Sequence, residues 1–213
     1  MSEELQISVN EHSSIRIEAG RVLRFDPFHI KGTPRDAHAV FITHEHFDHF
    51  SPEDISAVSK ADTVLVMPET MRQTARRAGI SESRIIFMKP GQTAQVCGFE
   101  VEAVPAYNIG KRFHPRENNW IGYVIAAAGK RLYVCGDTDA TPEAAAVKCD
   151  IIFVPIGGHF TMDAREAAAM VSRMSPITAV PVHYGSVAGS PGDADVFEKN
   201  AGEGVTVLRK LFV

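Results

Sequence analysis

Apolar positions along this chain fall into two kinds of run, and the two kinds come in blocks. Residues 5–9, 14–18 and 21–25 alternate apolar and polar, the signature of half-exposed strands, with Ala19-Gly20 as a turn and Asp26-Pro27 as a stop. Residues 37–42 form a continuous apolar run, read as a buried strand. Helix and strand alternate from there. A helix over 52–59 has Ser51 as its N-cap and Pro52 in its first turn. A buried strand over 63–67 follows, then a helix over 69–78 stopped by Gly79, and a strand over 84–88. A second block has the same order. A hairpin over 93–104 turns at Gly98, a loop runs from 107 to 119, and a second hairpin pairs 120–127 with 131–135. Helices over 142–147, 163–174 and 194–200 then alternate with strands over 151–155, 178–182 and 205–211. Two similar halves predict one domain over 1–213. The expected fold is α/β (α+β): two mixed β-sheets face to face, with helices on the outer faces, a four-layer αββα sandwich.

Composition narrows the function classes. The chain has 213 residues, 45% hydrophobic and 23% charged, as a globular protein with a substantial core requires. Its net charge of −4 disfavours a nucleic-acid backbone as partner. Arg72, Arg76 and Arg77 on one predicted helix read as a solvated face. Cys97, Cys135 and Cys149 are odd in number and fit no metal knuckle, so buried thiols in a reducing compartment are expected. The acidic start lacks the basic and apolar regions of a signal peptide, and no run is long enough to span a membrane. The expected location is cytoplasmic. The expected partner is a small molecule rather than nucleic acid or membrane, and self-association stays open.

The chemistry is concentrated at strand ends. Three histidines and a carboxylate, His44, His46, Asp48 and His49, lie between the apolar run 37–42 and the helix start at Ser51. Asp137 follows the strand 131–135, and His183 follows the strand 178–182. Strand ends along one edge of a sandwich meet at a common rim. Six such groups are too many for one tetrahedral ion and suit two metals sharing a carboxylate. Imidazole and carboxylate ligands suit Zn, with Mn, Ni or Fe as alternatives.

The pattern His44-x-His46-x-Asp48-His49, then Gly136-Asp137-Thr138, then Pro181-Val182-His183-Tyr184-Gly185, resembles the metallo-β-lactamase fold superfamily over nearly the whole chain. The resemblance implies one metal on His44 and His46, a second on Asp48, His49 and His183, and Asp137 bridging them. It implies a bridging hydroxide that attacks an ester, lactone, amide or phosphodiester, with Asp48 as catalytic residue orienting it. The family's usual third histidine falls near Val104-Pro105, where this chain has Asn108. Either His114 replaces it as ligand, or Asn108 hydrogen-bonds the bridging water or the substrate. Glu11-His12-Ser13-Ser14 and Pro155-Ile156-Gly157-Gly158 resemble the branch containing L-ascorbate-6-phosphate lactonase and N-acyl-phosphatidylethanolamine phospholipase D. That branch places His12 near the metals, as a further catalytic candidate. His159, after two glycines, and Tyr184, beside His183, are expected at the substrate. Lys111, Arg112 and Arg116 point to an anionic substrate. Two other readings stand beside the hydrolase: a mononuclear iron oxygenase like the persulfide dioxygenases of this fold, and a non-catalytic metal-binding protein.

Overall fold

A computed structural model describes residues 4–211. The first sheet holds β1 (Gln6–Val9), β2 (Ile15–Glu18), β3 (Val22–Phe25), β4 (Ala37–Phe41), β5 (Ser59–Pro68) and β6 (Ile85–Met88), side by side in chain order. The second holds β7 (Thr93–Val96), β8 (Phe99–Pro105), β9 (Ile121–Ala127), β10 (Lys130–Val134), β11 (Ile151–Pro155), β12 (Thr178–Val182) and β13 (Thr206–Val207), also in chain order. The expected repetition is present. In each sheet the early strands pair antiparallel and the late ones parallel. Short turns join the antiparallel strands, whereas parallel neighbours need crossovers. Most of those crossovers run through α1 (Pro52–Val58), α2 (Arg72–Arg77), α3 (Pro142–Ala146), α4 (Ala164–Met174) and α5 (Asp193–Asn200).

The sandwich is set by which face each strand buries. Along β4, Ala39 and Phe41 join the core between the sheets, where Phe41 stacks on Phe25 with centroids 4.8 Å apart. Val40 and Ile42 point the other way, onto Ile55, Val58, Met71 and Ala75 under α1 and α2. A strand buried on both faces must read as a continuous apolar run, and residues 37–42 do. On the second sheet, α4 is anchored by a capping box in which Asp163 and Glu166 bond each other's backbone. It lays Ala167, Ala168, Met170 and Val171 on the core.

Three elements depart from the sequence-based expectation, the first being β5, which runs over Ser59–Pro68 rather than 63–67. The helix over 69–78 begins as a 3-10 turn, Glu69–Met71, before α2. The last strand shrinks to Thr206–Val207. Arg209 is drawn off the sheet by Asp195 and Glu198 of α5, and Leu211 tucks under Tyr184, whose hydroxyl donates to the Leu211 carbonyl at 3.3 Å.

Candidate metal centre

All the strand-end ligands arrive at one rim. His44, His46, Asp48 and His49 lie on the turn between β4 and α1. The 49 and 50 amides bond back to the His46 carbonyl, which curls the turn so that its side chains converge. Asp137 follows β10, and His183 follows β12 with its backbone in the left-handed region at φ 58°. His12 and Asp26 share that strained conformation, at φ 54° and 41°. Non-glycine residues hold it only where surrounding structure fixes them, commonly at functional sites. Gly136 has a positive φ, and a Cβ there would sit 3.1 Å from the Thr43 Cβ. Its lack of a side chain lets the Asp137 turn come close to the histidine turn.

The geometry is centred on Asp137, which is buried. One of its oxygens is 3.3 Å from His49 Nε2; the other is 2.9 Å from His183 Nε2, 3.3 Å from His114 Nε2 and 4.0 Å from His44 Nε2. Around it, ligand atoms fall into three overlapping groups: His44, His46 and His114; His44, His49 and Asp137; and His12, Asp48, His49 and His183. Within each group the atoms lie within 4.8 Å of one another.

This donor set fits divalent metal. Buried polar atoms are normally paired. Here, among the described residues, His49 Nε2, His114 Nε2 and Asp137 Oδ1 are buried without a hydrogen-bond partner, and all three residues belong to these ligand groups. His44 Nε2 and His46 Nδ1 face each other at 3.1 Å, where a cation would satisfy both lone pairs. Burial, with repulsion from His49, holds His44 well below the ordinary imidazole pKa, so it is a neutral ligand.

Supporting contacts orient the ligands. Asp26 accepts from His49 Nδ1 at 2.8 Å and from the Thr43 backbone and hydroxyl at 2.8 and 2.6 Å. A carboxylate behind a ligating imidazole fixes its tautomer. Burial pushes Asp48 up, but the His12 N–H 3.0 Å away and the charge of His49 outweigh it, leaving Asp48 at about 2. Burial lowers His12 to about 4 against the pull of Asp48, so the imidazole is neutral near pH 7. His12 is fully buried, and its ring lies 3.8 Å from that of His183.

The position left open by the sequence is filled by His114. Asn108 Oδ1 accepts from the His114 backbone at 3.1 Å and from His114 Nδ1 at 3.0 Å, which turns Nε2 toward Asp137. Asn108 Nδ2 donates to Asp139 at 3.2 Å and to the Phe160 carbonyl at 2.9 Å. Asn108 is therefore fully engaged in holding His114, and its amide is not offered to a substrate. Tyr184 likewise turns away, its hydroxyl committed to Leu211. His159 is exposed on the outer side of the rim, its ring 5.1 Å from Phe113 and 4.5 Å from Phe160. The basic residues of the loop are largely tied down: Lys111 bonds Asp139 and the Thr161 carbonyl, both at 2.7 Å, and Arg116 bonds Glu143 at 2.6 Å.

Four residues to which the sequence assigned no role at the site complete the picture. Asp26 orients His49, and only its place at a strand end hinted at this. Asp139, two residues past Asp137, holds Asn108. Trp120 packs beside the first group, its ring 4.9 Å from His44 and His46 and 5.5 Å from His114. Thr43 bonds Asp26 and lies 3.0 Å from His44 Nδ1.

Comparison with known proteins agrees with this geometry. The beta-lactamase superfamily domain matches residues 14–184. A UPF0173 metal-dependent hydrolase of Aeropyrum pernix is 30% identical over 216 residues, covering 90% of this chain and 87% of the relative. One from Pyrococcus abyssi is 28% identical over 211 residues, 92% of each chain. The crystal structure of a Parabacteroides distasonis protein designated a metal-dependent hydrolase superposes with a TM-score of 0.79 at 30% identity, covering 99% of this chain and 94% of the other. Among the described residues no helix is long and apolar enough to cross a membrane. By sequence match, fold and ligand cluster together, the chain belongs to the beta-lactamase superfamily, among its UPF0173 metal-dependent hydrolases.

Proposed function

We propose that the site holds two divalent metal ions and hydrolyses an ester, lactone, amide or phosphodiester bond of a small molecule. His44, His46 and His114 would hold one ion, Asp48, His49 and His183 the other, with Asp137 shared. The observation that carries this reading is Asp137: its two oxygens lie within 3.3 Å of imidazoles from both sets. A second set complete with its own carboxylate speaks for two ions rather than a single iron. Zn is the first expectation for these ligands, with Mn, Ni or Fe compatible.

When bound, such ions polarise the electrophilic oxygen and lower the pKa of a bound water toward neutrality. The protein's own groups do the rest. Asp48 is ionised, buried and on the wall of the cavity, so it is an acceptor poised to take a proton and pass it to the leaving group. His12 packs against Asp48, its Nε2 3.0 Å from a carboxylate oxygen. Asp26 and Asn108 engage Nδ1 of His49 and of His114, which leaves their Nε2 atoms to the cluster. Burial of the whole cluster raises the strength of every charge interaction in it.

Protein stripped of metal and reloaded separately with Zn²⁺, Mn²⁺ and Ni²⁺ is screened against a panel of hydrolase substrates. About two ions per chain and turnover that disappears in the H46A/D137A variant are the expected results. Full activity in the metal-free protein would sink the reading.

A further inference from the structure

We propose that the substrate carries no anionic group away from the bond that breaks and has a compact apolar flank, an aryl or short alkyl group, beside that bond. The inference rests on the hydrolase reading and names the class of molecule that site takes. In front of the ligand cluster lies a cavity of about 320 Å³. Its inner wall is His46, Asp48, His114, Asp137 and His183, and its outer wall is Phe47, Phe113, Phe160 and Val187. The volume is at the small end of ligand pockets, which run from about 300 to 1,000 Å³.

The outer wall is built for apolar contact. Phe47 stands between two ligand residues, and its ring is 69% exposed. Val187 beyond His183 is 37% exposed. A scattered exposed apolar side chain needs no explanation, but several lining one mouth mark a binding surface. Phe113 and Phe160 meet edge to face at 4.8 Å, and Phe28 backs Phe47 at 6.2 Å, so the wall is a preformed aromatic surface.

Charge points the same way. Recognition of a phosphate or carboxylate away from the reacting bond calls for a free Arg or Lys. Among the described residues no lysine or arginine lines this cavity. Lys111 faces Asp139 and Thr161, and Arg116 faces Glu143. Arg112 is exposed, with its guanidinium 5.8 Å from the centroid of the Phe113 ring, and is not among the residues that line the cavity. The loop that promised an anion site in the sequence instead uses two of its cations to brace itself. Beyond the ligand residues, an anionic tail in this mouth would meet phenyl rings and Val187.

The test uses zinc-loaded protein and two probes with no hydrolysable bond, 4-methylacetophenone and the same ketone bearing a sulfonate in place of the ring methyl group. Binding is followed by the fluorescence of Trp120, the chain's one tryptophan, which touches the ligand histidines. The neutral probe is expected to bind at least about tenfold more tightly, one decade in Kd. F113S is expected to erase most of that difference while leaving the sulfonate's affinity unchanged. F47S repeats the measurement at a side chain so exposed that folding does not depend on it. Equal or tighter binding of the sulfonate, no binding of the neutral probe at millimolar concentration, or an unchanged preference in both variants would overturn the proposal. Because no turnover is read, a protein that hydrolyses nothing defeats the hydrolase reading and leaves this result legible.

Discussion

The two halves of the candidate metal centre are built differently. The half made by Asp48, His49 and His183 draws on turns that directly follow β4 and β12. Its supports are buried: Asp26 behind His49, His12 beside Asp48, and a backbone bond from His183 N to the His12 carbonyl at 3.0 Å. The half made by His44, His46 and His114 takes one ligand from an irregular loop, and its His46 is only half-buried. His114 keeps its place through a relay of side chains, Asn108 to Asp139 to Lys111. One half is fixed by strand ends, the other by a polar network that single substitutions can open. The lesson is that a ligand set can be shared through one carboxylate while its two sides differ in rigidity.

The largest effect belongs to Asp137, which both halves share. D137A is expected to abolish hydrolysis and to drop metal content, measured by elemental analysis, below one ion per chain. Two ions retained at wild-type affinity would break the comparison at its centre. Next come the paired supports. N108A frees the His114 ring and should weaken one ion about 10–100-fold, the range for lost second-layer contacts to a metal ligand. The other ion should be unaffected. D26A removes the partner of His49 and should do the converse, by a similar factor. Competition with a graded series of chelators resolves the two ions. If both variants weaken both ions equally, the halves are one rigid unit and the contrast fails. Smaller again is D139A, which reaches His114 only indirectly, through Asn108 and through the Ile109 amide and Lys111 of the same loop. It should weaken the same ion as N108A but by less, roughly tenfold or under. A double variant no weaker than N108A alone would show that the two act in series.

The sequence carried the frame of this arrangement further than its details. Continuous apolar runs marked strands such as β4 and β11, because a strand covered on both faces has no polar face to show. The ligands at 44–49, 137 and 183 were legible because they interrupt apolar runs where strands must end. The loop from 107 to 119 was not legible in the same way. It has no hydrophobic period, so nothing in it tells which polar side chain faces inward. Asn108 was read toward water or substrate, whereas its amide is used on His114, Asp139 and Phe160. Lys111 and Arg116 read as free cations because their partners, Asp139 and Glu143, lie about 30 residues away in the chain and meet them only after folding. Tyr184 is expected at the substrate from its neighbour His183, but β12 has ended and the backbone turns at His183, at φ 58°, so that the Tyr184 hydroxyl reaches Leu211 instead.

The smallest predicted effect marks off the metal carboxylates from an ordinary ion pair. Asp36, at the start of β4, accepts from Arg24 at 3.1 and 2.8 Å and from Arg16 at 3.0 Å. Partial burial pushes its carboxyl up, but the two guanidiniums outweigh that and hold it below the usual range. A carboxylate with a depressed folded pKa contributes stability above its unfolded value, about 3.9. That contribution is lost as pH falls through the folded pKa. Asp36 is a quarter exposed, so solvent screening limits the pair to about 1 kcal/mol. D36N should therefore lower stability by about that amount at pH 7 and by nothing once the pH is well below the carboxylate range. The difference should be the same in metal-free and metal-loaded protein, because Asp36 touches no ligand of either ion. Denaturant titration at two pH values with and without zinc measures all four cases. A D36N effect that grows on loading would mean that the metal centre is mechanically joined to the outer face of the first sheet, and that the rigid half extends well beyond its strand ends.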